Sequence, residues 1–253
     1  MEFVKNPKLE GSRIWDCRPQ TGLCPHKCNQ CFYNRPNAFY TDINSPSIPD
    51  PEEVGDDIVR MNCGHDSNIN WELVIQTAVN YKNYFFNTSI QNLDFPGPVV
   101  LTANPKEEEE INMWRNLLFK DNLMFFRVRV SPTNYKFVEE FIDYISGSGK
   151  PVVLTIMSYY DQIPPGVTDD GYLTEDLQKI YDFTGKAYEW KVRHINSYWC
   201  PTPGMIKAYV RRYFTVNHMT YLCGTADSGW CKDCGNCELF YRLTMKDMEL
   251  ANY

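Results

Sequence analysis

The chain has no apolar run that approaches the ~18 residues a membrane span requires. Its N-terminus, Met1 to Leu9, carries charges and lacks the apolar core of a secretory signal. Positive charge is in deficit: the formal net charge is −7, which argues against a broadly basic nucleic-acid-binding face and leaves room only for a local patch. There is no glycine-rich nucleotide fingerprint, no cobalamin-type histidine motif and no separate peptide-recognition domain. A membrane protein, a secreted protein and a coat for nucleic acid are thus all poor descriptions, and a cytoplasmic protein is expected. In a reducing cytosol the ten cysteines read as metal ligands rather than as disulfides. The length, 253 residues, suits one barrel-sized core. Aromatics at 15% suit either a lined cavity or a well-packed interior.

What is present in strength is cysteine in two groups. Cys24-Pro25-His26-Lys27-Cys28-Asn29-Gln30-Cys31 carries three thiols at C-x3-C-x2-C, with Phe32 and Tyr33 directly after. Three thiols so close cannot all pair as disulfides, but a short loop can aim all three at one metal centre. Three local ligands on a cluster of four irons leave one iron open. A zinc site would need a fourth local ligand, and His26 is badly spaced to be one. Cys223, Cys231, Cys234 and Cys237 follow near the other end at C-x7-C-x2-C-x2-C. Four thiols fill a 4Fe–4S cluster, and they also hold zinc well, although zinc more often takes two separated C-x2-C pairs. Cys200 is an alternative fourth ligand to Cys223. His218 to Cys237 offers only Met219, Tyr221, Leu222 and Trp230 as sizeable apolar groups, so metal coordination is expected to order it. Cys17 reads as a buried small hydrophobe.

The C-x3-C-x2-C motif resembles the signature of the radical S-adenosylmethionine (radical SAM) superfamily; ferredoxins space their cysteines differently. The resemblance spans roughly residues 10–215, and only the cysteine motif in it is specific. It implies a 4Fe–4S cluster on Cys24, Cys28 and Cys31, with its open iron chelating S-adenosylmethionine, and an electron donor such as flavodoxin or ferredoxin. The family often has an aromatic residue just before the third cysteine to contact adenine; Gln30 stands there in this chain, and Phe32 or Tyr33 is the substitute. Gly64-His65-Asp66 loosely resembles the family's Gly-Gly-Glu-like motif, whose carboxylate or backbone binds the methionine amino group. The same stretch reads equally well as an Asx-type turn before a helix at Trp71. The later cysteines resemble the C-terminal auxiliary-cluster extensions of many members. Such clusters often accompany peptide modification and dehydrogenation, so a peptide or small-molecule substrate is the first expectation. A nucleoside or nucleic-acid base is the second, and a non-catalytic zinc- or cluster-stabilised module is the reading from another class.

Periodicity places these motifs. Strands are expected at 13–17, 58–63, 84–89, 99–102, 126–130, 151–157 and 188–196, with helices from Asp50 as cap, and at 71–81, 107–119, 134–145, 173–183 and 203–214. No helix fits between the third and fourth strands, so one of those two is expected to lie outside a regular repeat. Residues 107–119 begin with four glutamates, most simply a solvated helix start. Strands separated by helical lengths favour a parallel sheet. The resemblance implies a partial (β/α)6 TIM-type barrel over residues 1–215, with a small cysteine-rich extension over 216–253. Polar residues end several strands: Thr88-Ser89, Thr102 to Asn104, Ser131 to Thr133, Ser158 and His194 to Asn196. They mark the expected active face. Phe126, Val128 and Val130 alternate with Arg127 and Arg129, so the arginines face either the lumen, where a carboxylate ligand is the natural partner, or solvent from an edge strand. Asp66, Arg127, Arg129 and Ser131 are the candidates for orienting the cofactor.

Overall fold

The computed structural model describes Phe3 and residues 5–26, 42–103, 117–157, 160–192, 197–214 and 219–251. The calls on Cys28, Cys31, Phe32 and Tyr33, on most of the 107–119 helix, on Ser158 and on His194 to Asn196 fall outside these residues.

The chain enters through a 3-10 turn, Pro7–Leu9, into β1 (Ile14–Cys17). A short helix α1 (Pro51–Val54) follows, with the Asp50 side chain accepting the Glu52 N–H as expected of a cap. Then come β2 (Ile58–Met61), α2 (Trp71–Ala78), β3 (Asn83–Thr88), β4 (Val99–Ala103), β5 (Leu123–Val130), α3 (Tyr135–Ser146) and β6 (Val152–Ile156). After these lie α4 (Glu175–Tyr181), β7 (Tyr188–Lys191), β8 (Tyr198–Pro201), α5 (Pro203–Phe214), β9 (Thr220–Leu222), α6 (Cys231–Cys234) and α7 (Asn236–Ala251). Seven strands form one sheet in the order β1-β2-β3-β4-β5-β6-β9, and every pairing in it is parallel. The sheet is curled into a half-barrel.

One strand expectation holds and one is corrected. Residues 84–89 and 99–102 follow one another with no helix between, so the βα repeat is broken there as expected, and both lie in the sheet as neighbours β3 and β4 paired through Phe86 and Val99. The connection between them runs through the Pro96-Gly97-Pro98 turn; a parallel crossover needs chain length, and here a loop supplies it. Residues 188–191 do not form the last barrel strand. They pair antiparallel with β8 in a separate two-stranded sheet, with Trp190 and Trp199 edge-on at 5.9 Å. Alternation identifies a strand but not the sheet it joins. The closing strand is β9, bonded to β6 through Val152–Thr220 and Leu154–Leu222, so residues after 215 contribute to the main sheet itself.

The strand period puts two chemistries on the two faces. The convex face, with Val59, Met61, Phe86, Leu101, Phe126, Val128 and Leu154, packs with helix residues such as Val74, Phe141, Ile142 and Tyr209 in the larger apolar cluster. On α3, Phe137, Val138, Phe141, Ile142 and Ile145 recur at three and four to meet it. The concave face starts apolar, with Ile14, Ile58, Phe85, Val100, Phe125 and Val153, and is covered there by Phe240 and Tyr241 of α7. Phe240 meets Phe125 at 5.5 Å and Tyr221 at 4.9 Å. Further along the same strands the concave face turns polar: Asp16, Arg60, Asn87, Thr102 and Arg127 follow two residues after their apolar predecessors. One end of the half-barrel is therefore sealed by α7, and the end toward the strands' C-termini is left for a ligand.

Because Phe240 fills the sealed end, Phe240→Ala is expected to cost about 3–5 kcal/mol of stability. Chemical denaturation of the two proteins measures this, and a loss below about 1 kcal/mol would show that α7 does not close the half-barrel.

Candidate functional site

The described chain between β1 and Cys24 is pinned. Arg18, buried just after β1, donates to the carbonyls of Gln20, Ile43, Asp42 and Ser45 at 3.0–3.2 Å, gripping the chain before and after the cysteine loop. The Arg18 and Ser47 backbones bridge, and the Gly22 N–H reaches the Ile43 carbonyl at 2.7 Å. A buried guanidinium is tolerable only when its donors are used, and here four carbonyls use them. Cys24, the first cysteine of the motif, thereby comes to the C-terminal edge of the sheet.

That edge holds an open cavity of ≈ 680 Å³, lined by Cys24, by the β2–α2 loop (Cys63, Gly64, His65 and Asp66) and by strand-end residues of β3, β4 and β5. Arg60, Arg127 and Arg129 form its basic wall. Of the expected site residues, Cys24, Gly64, Asp66, Arg127 and Arg129 thus come together, and both arginines point to the concave side. Ser131 does not line the cavity: it is buried, and its N–H donates to Asn134 Oδ1 at 2.9 Å. Thr88, Ser89 and Thr102, expected as strand-end polar residues, do line it.

The three arginines differ in how they are held. Arg60 Nε donates to Asp16 Oδ1 at 2.7 Å, and Nη2 lies 3.5 Å from Cys63 Sγ. Burial works against its charge, but Asp16 more than offsets this and raises its pKa. Arg127 Nη1 donates to Asn87 Oδ1 at 3.1 Å, while Asn87 itself donates to the Met61 carbonyl at 2.8 Å. Arg129 Nη1 is buried with no hydrogen-bond partner. An unpaired buried donor on a fixed cation is costly.

Asp66 is committed differently. Its Oδ1 accepts from Thr88 Oγ1 at 2.7 Å and from the Asn68 N–H at 3.0 Å. Its Oδ2 accepts from the Ser89 N–H at 2.7 Å and Oγ at 3.0 Å. The Asn68 bond is the expected Asx turn, although the cap position of α2 is Asn70, in left-handed conformation and without a side-chain bond. The carboxylate staples the β2–α2 loop to the end of β3, and His26 Nε2 of the cysteine loop sits 3.9 Å from Oδ2. Gly64 takes φ +99° in this loop, a conformation open to glycine and strained for other residues. Burial lowers the pKa of His65, keeping the ring neutral at physiological pH, and its Nδ1 is buried without a partner.

The second cysteine group lies on the other side of the same arginines. Cys223 follows β9, its N–H bonded to the Leu154 carbonyl at 2.8 Å. Cys231 and Cys234 bound α6, Gly235 ends it with φ +63°, and Asn236 Nδ2 ties the start of α7 to the Leu222 carbonyl at 2.7 Å. Cys223, Cys231, Cys234 and Cys237 line one cavity of ≈ 650 Å³ together with Phe125, Arg60 and Arg127. Burial raises the Cys231 thiol to about 11, with Arg60 pulling it down and the neighbouring thiols pushing it up. Four thiols are an appropriate donor set for a thiolate-bound metal, and Arg13, Arg60, Arg127 and Lys232 line the same cavity. As they stand, no three described His, Cys, Asp or Glu side chains converge closely enough to hold an ion. Cys200 lies in β8 beside Lys191, away from this cavity. Cys17 is fully buried, its Sγ 4.0 Å from the Tyr81 hydroxyl, as expected of a structural thiol.

Sequence reasoning missed Arg18, Arg60, Asp16, Cys63 and His65. The alternation of Ile58 and Arg60 was the available signal for Arg60; nothing local marks Arg18, whose partners lie 24–27 residues away apart from Gln20. Comparison with protein-family models, curated proteins and solved structures returned no match.

Removing the Asp66 staple strands several donors. Asp66→Ala is expected to lose about 3 kcal/mol of stability, read from urea denaturation. An unchanged midpoint would mean that the carboxylate is not holding the loop.

Proposed function

We propose that this chain is a radical SAM enzyme. The observation that carries the reading is the position of Cys24, the first cysteine of the C-x3-C-x2-C motif, in a cavity at the edge of a parallel half-barrel, beside an arginine with an unpaired donor. The half-barrel is read as the partial (β/α)6 TIM-type barrel of that superfamily. Cys24, Cys28 and Cys31 would hold a 4Fe–4S cluster with an open iron. When bound and reduced, that cluster supplies the electron that cleaves the sulfonium of S-adenosylmethionine, giving a 5′-deoxyadenosyl radical that takes a substrate hydrogen.

The residues of this chain would bind and orient. Arg129 would donate to the methionine carboxylate, replacing the partner its Nη1 lacks. Arg127, positioned by Asn87, would add a second charge at the same wall. The backbone around Gly64 would receive the methionine amino group, since the Asp66 carboxylate is spent on holding that loop. Phe32 or Tyr33 would stack on adenine, and Ser131 would act from behind β5 rather than by contact. The later cysteines would carry a second 4Fe–4S cluster, with zinc as the other occupant their chemistry allows. Flavodoxin or ferredoxin would supply electrons in a cytoplasmic setting. No described helix is long and apolar enough to cross a membrane. The substrate class proposed is a peptide or small molecule.

Cys24→Ala, Cys28→Ala and Cys31→Ala are each expected to abolish reductive cleavage of S-adenosylmethionine, read as 5′-deoxyadenosine formed by the reduced protein. Wild-type yields from any of the three would sink the reading. Replacing Cys231, Cys234 and Cys237 together by alanine is expected to remove about four irons per chain and to leave part of the cleavage. Constant iron with loss of bound zinc would make the tail a zinc site instead.

A further inference from the structure

Both cavities are bounded by the same two guanidiniums. Arg60 and Arg127 line the upper cavity with Cys24 and also the lower one with the four tail thiols, whereas Arg129 lines the upper alone. The strand period explains the arrangement. Arg60 follows Ile58, and Arg127 follows Phe125, each two residues on and on the same concave face, so the cations stand where the apolar floor gives way to the polar mouth. Cys223 continues the concave face of β9 two residues after Tyr221, which brings the thiol group up to that boundary from below. The lower site is consequently inside the half-barrel rather than on its outside.

We propose that Arg127, with Arg60 beside it, is a shared cationic partition: it balances the charge of a thiolate-bound metal in the lower cavity and, on its upper side, faces the anionic ligand of the upper one. A divalent metal on four thiolates carries a net negative charge, and so does a cubane cluster on four thiolates. In a poorly solvated pocket such a charge needs nearby cations. Arg60 is already committed to Asp16 at 2.7 Å and Arg13, on the wall of the lower cavity, to Asp57 at 2.9 Å, whereas among the described residues Arg127 meets only uncharged groups, the Asn87 amide at 3.1 Å and the Phe125 ring at 5.8 Å. The balance holds for iron or zinc alike. It rests on the tail cysteines being a metal site and on the upper cavity taking an anionic ligand.

The test uses the full chain purified anaerobically, with metal per chain measured before and after dialysis against EDTA. Tail metal is the difference from a Cys231→Ser, Cys234→Ser, Cys237→Ser variant. Binding of S-adenosylmethionine is measured alongside by calorimetry. Arg127→Gln is expected to lose tail metal to the chelator at least roughly tenfold faster and also to weaken S-adenosylmethionine. Arg129→Gln is expected to weaken S-adenosylmethionine roughly tenfold and to keep its tail metal. Arg127→Lys, which restores the charge, is expected to recover most of the retention. A merely structural role would not separate Arg127→Gln from Arg129→Gln or respond to lysine. Equal retention in wild type and Arg127→Gln would overturn the partition, as would a wild-type chain whose metal content equals that of the triple serine variant. A wild-type chain that holds tail metal through Arg127 but binds no S-adenosylmethionine would sink the reading of the upper cavity instead, so the two failures are told apart.

Discussion

Charge inside the half-barrel is the constraint to which the remaining features answer. Asp16, Arg60, Arg127 and Arg129 all sit on the concave side of a parallel sheet, the carboxylate buried and the three guanidiniums half-buried. Each must find a partner or serve a ligand. Arg60 finds Asp16, and Asp16 also accepts from Asn6 at 2.8 Å, which draws the N-terminal turn against β1. Arg127 finds a neutral amide, and Arg129 keeps an unpaired donor. A gradient results, from a cation paired with a carboxylate to one with a donor left over.

That gradient organises the molecule along the strands. At the strand starts the concave face is apolar and α7 covers it. In the middle the cations stand in a row. At the strand ends the face becomes a polar cavity bordered by the cysteine loop. Cys24 and the four tail thiols, separated by nearly two hundred positions in the sequence, meet this row from opposite sides. The only elements needed to bring them there are a clamp at the base of one loop and a short closing strand before the other.

The Asp66 and Arg18 networks show how a loop-rich mouth is held without much apolar burial. Arg18 spends its donors on backbone carbonyls; Asp66 spends its acceptors on backbone and hydroxyl donors. Each ties together segments that pack little hydrophobic area, and each does so with a charge whose hydrogen bonds are stronger than neutral ones.

Local pattern in the sequence determined much of this. The thiol spacings, the Asp50 cap, the helical period of residues 135–146 and the strict alternation that turns Arg127 and Arg129 away from Phe126, Val128 and Val130 are all properties of neighbouring residues. They are legible because side-chain direction follows backbone period. Which sheet a strand joins is a different kind of fact. Residues 188–191 alternate as well as any, yet they pair with β8, whereas three residues after position 219 close the main sheet. Periodicity carries no information about partners. The Arg18 clamp, the Asp16–Arg60 pair and the sharing of one arginine wall by two cavities were likewise decided only in three dimensions. Each joins groups far apart in the chain, and only the curl of the sheet, set by the packing of helices on its convex face, brings them within a few ångströms of one another.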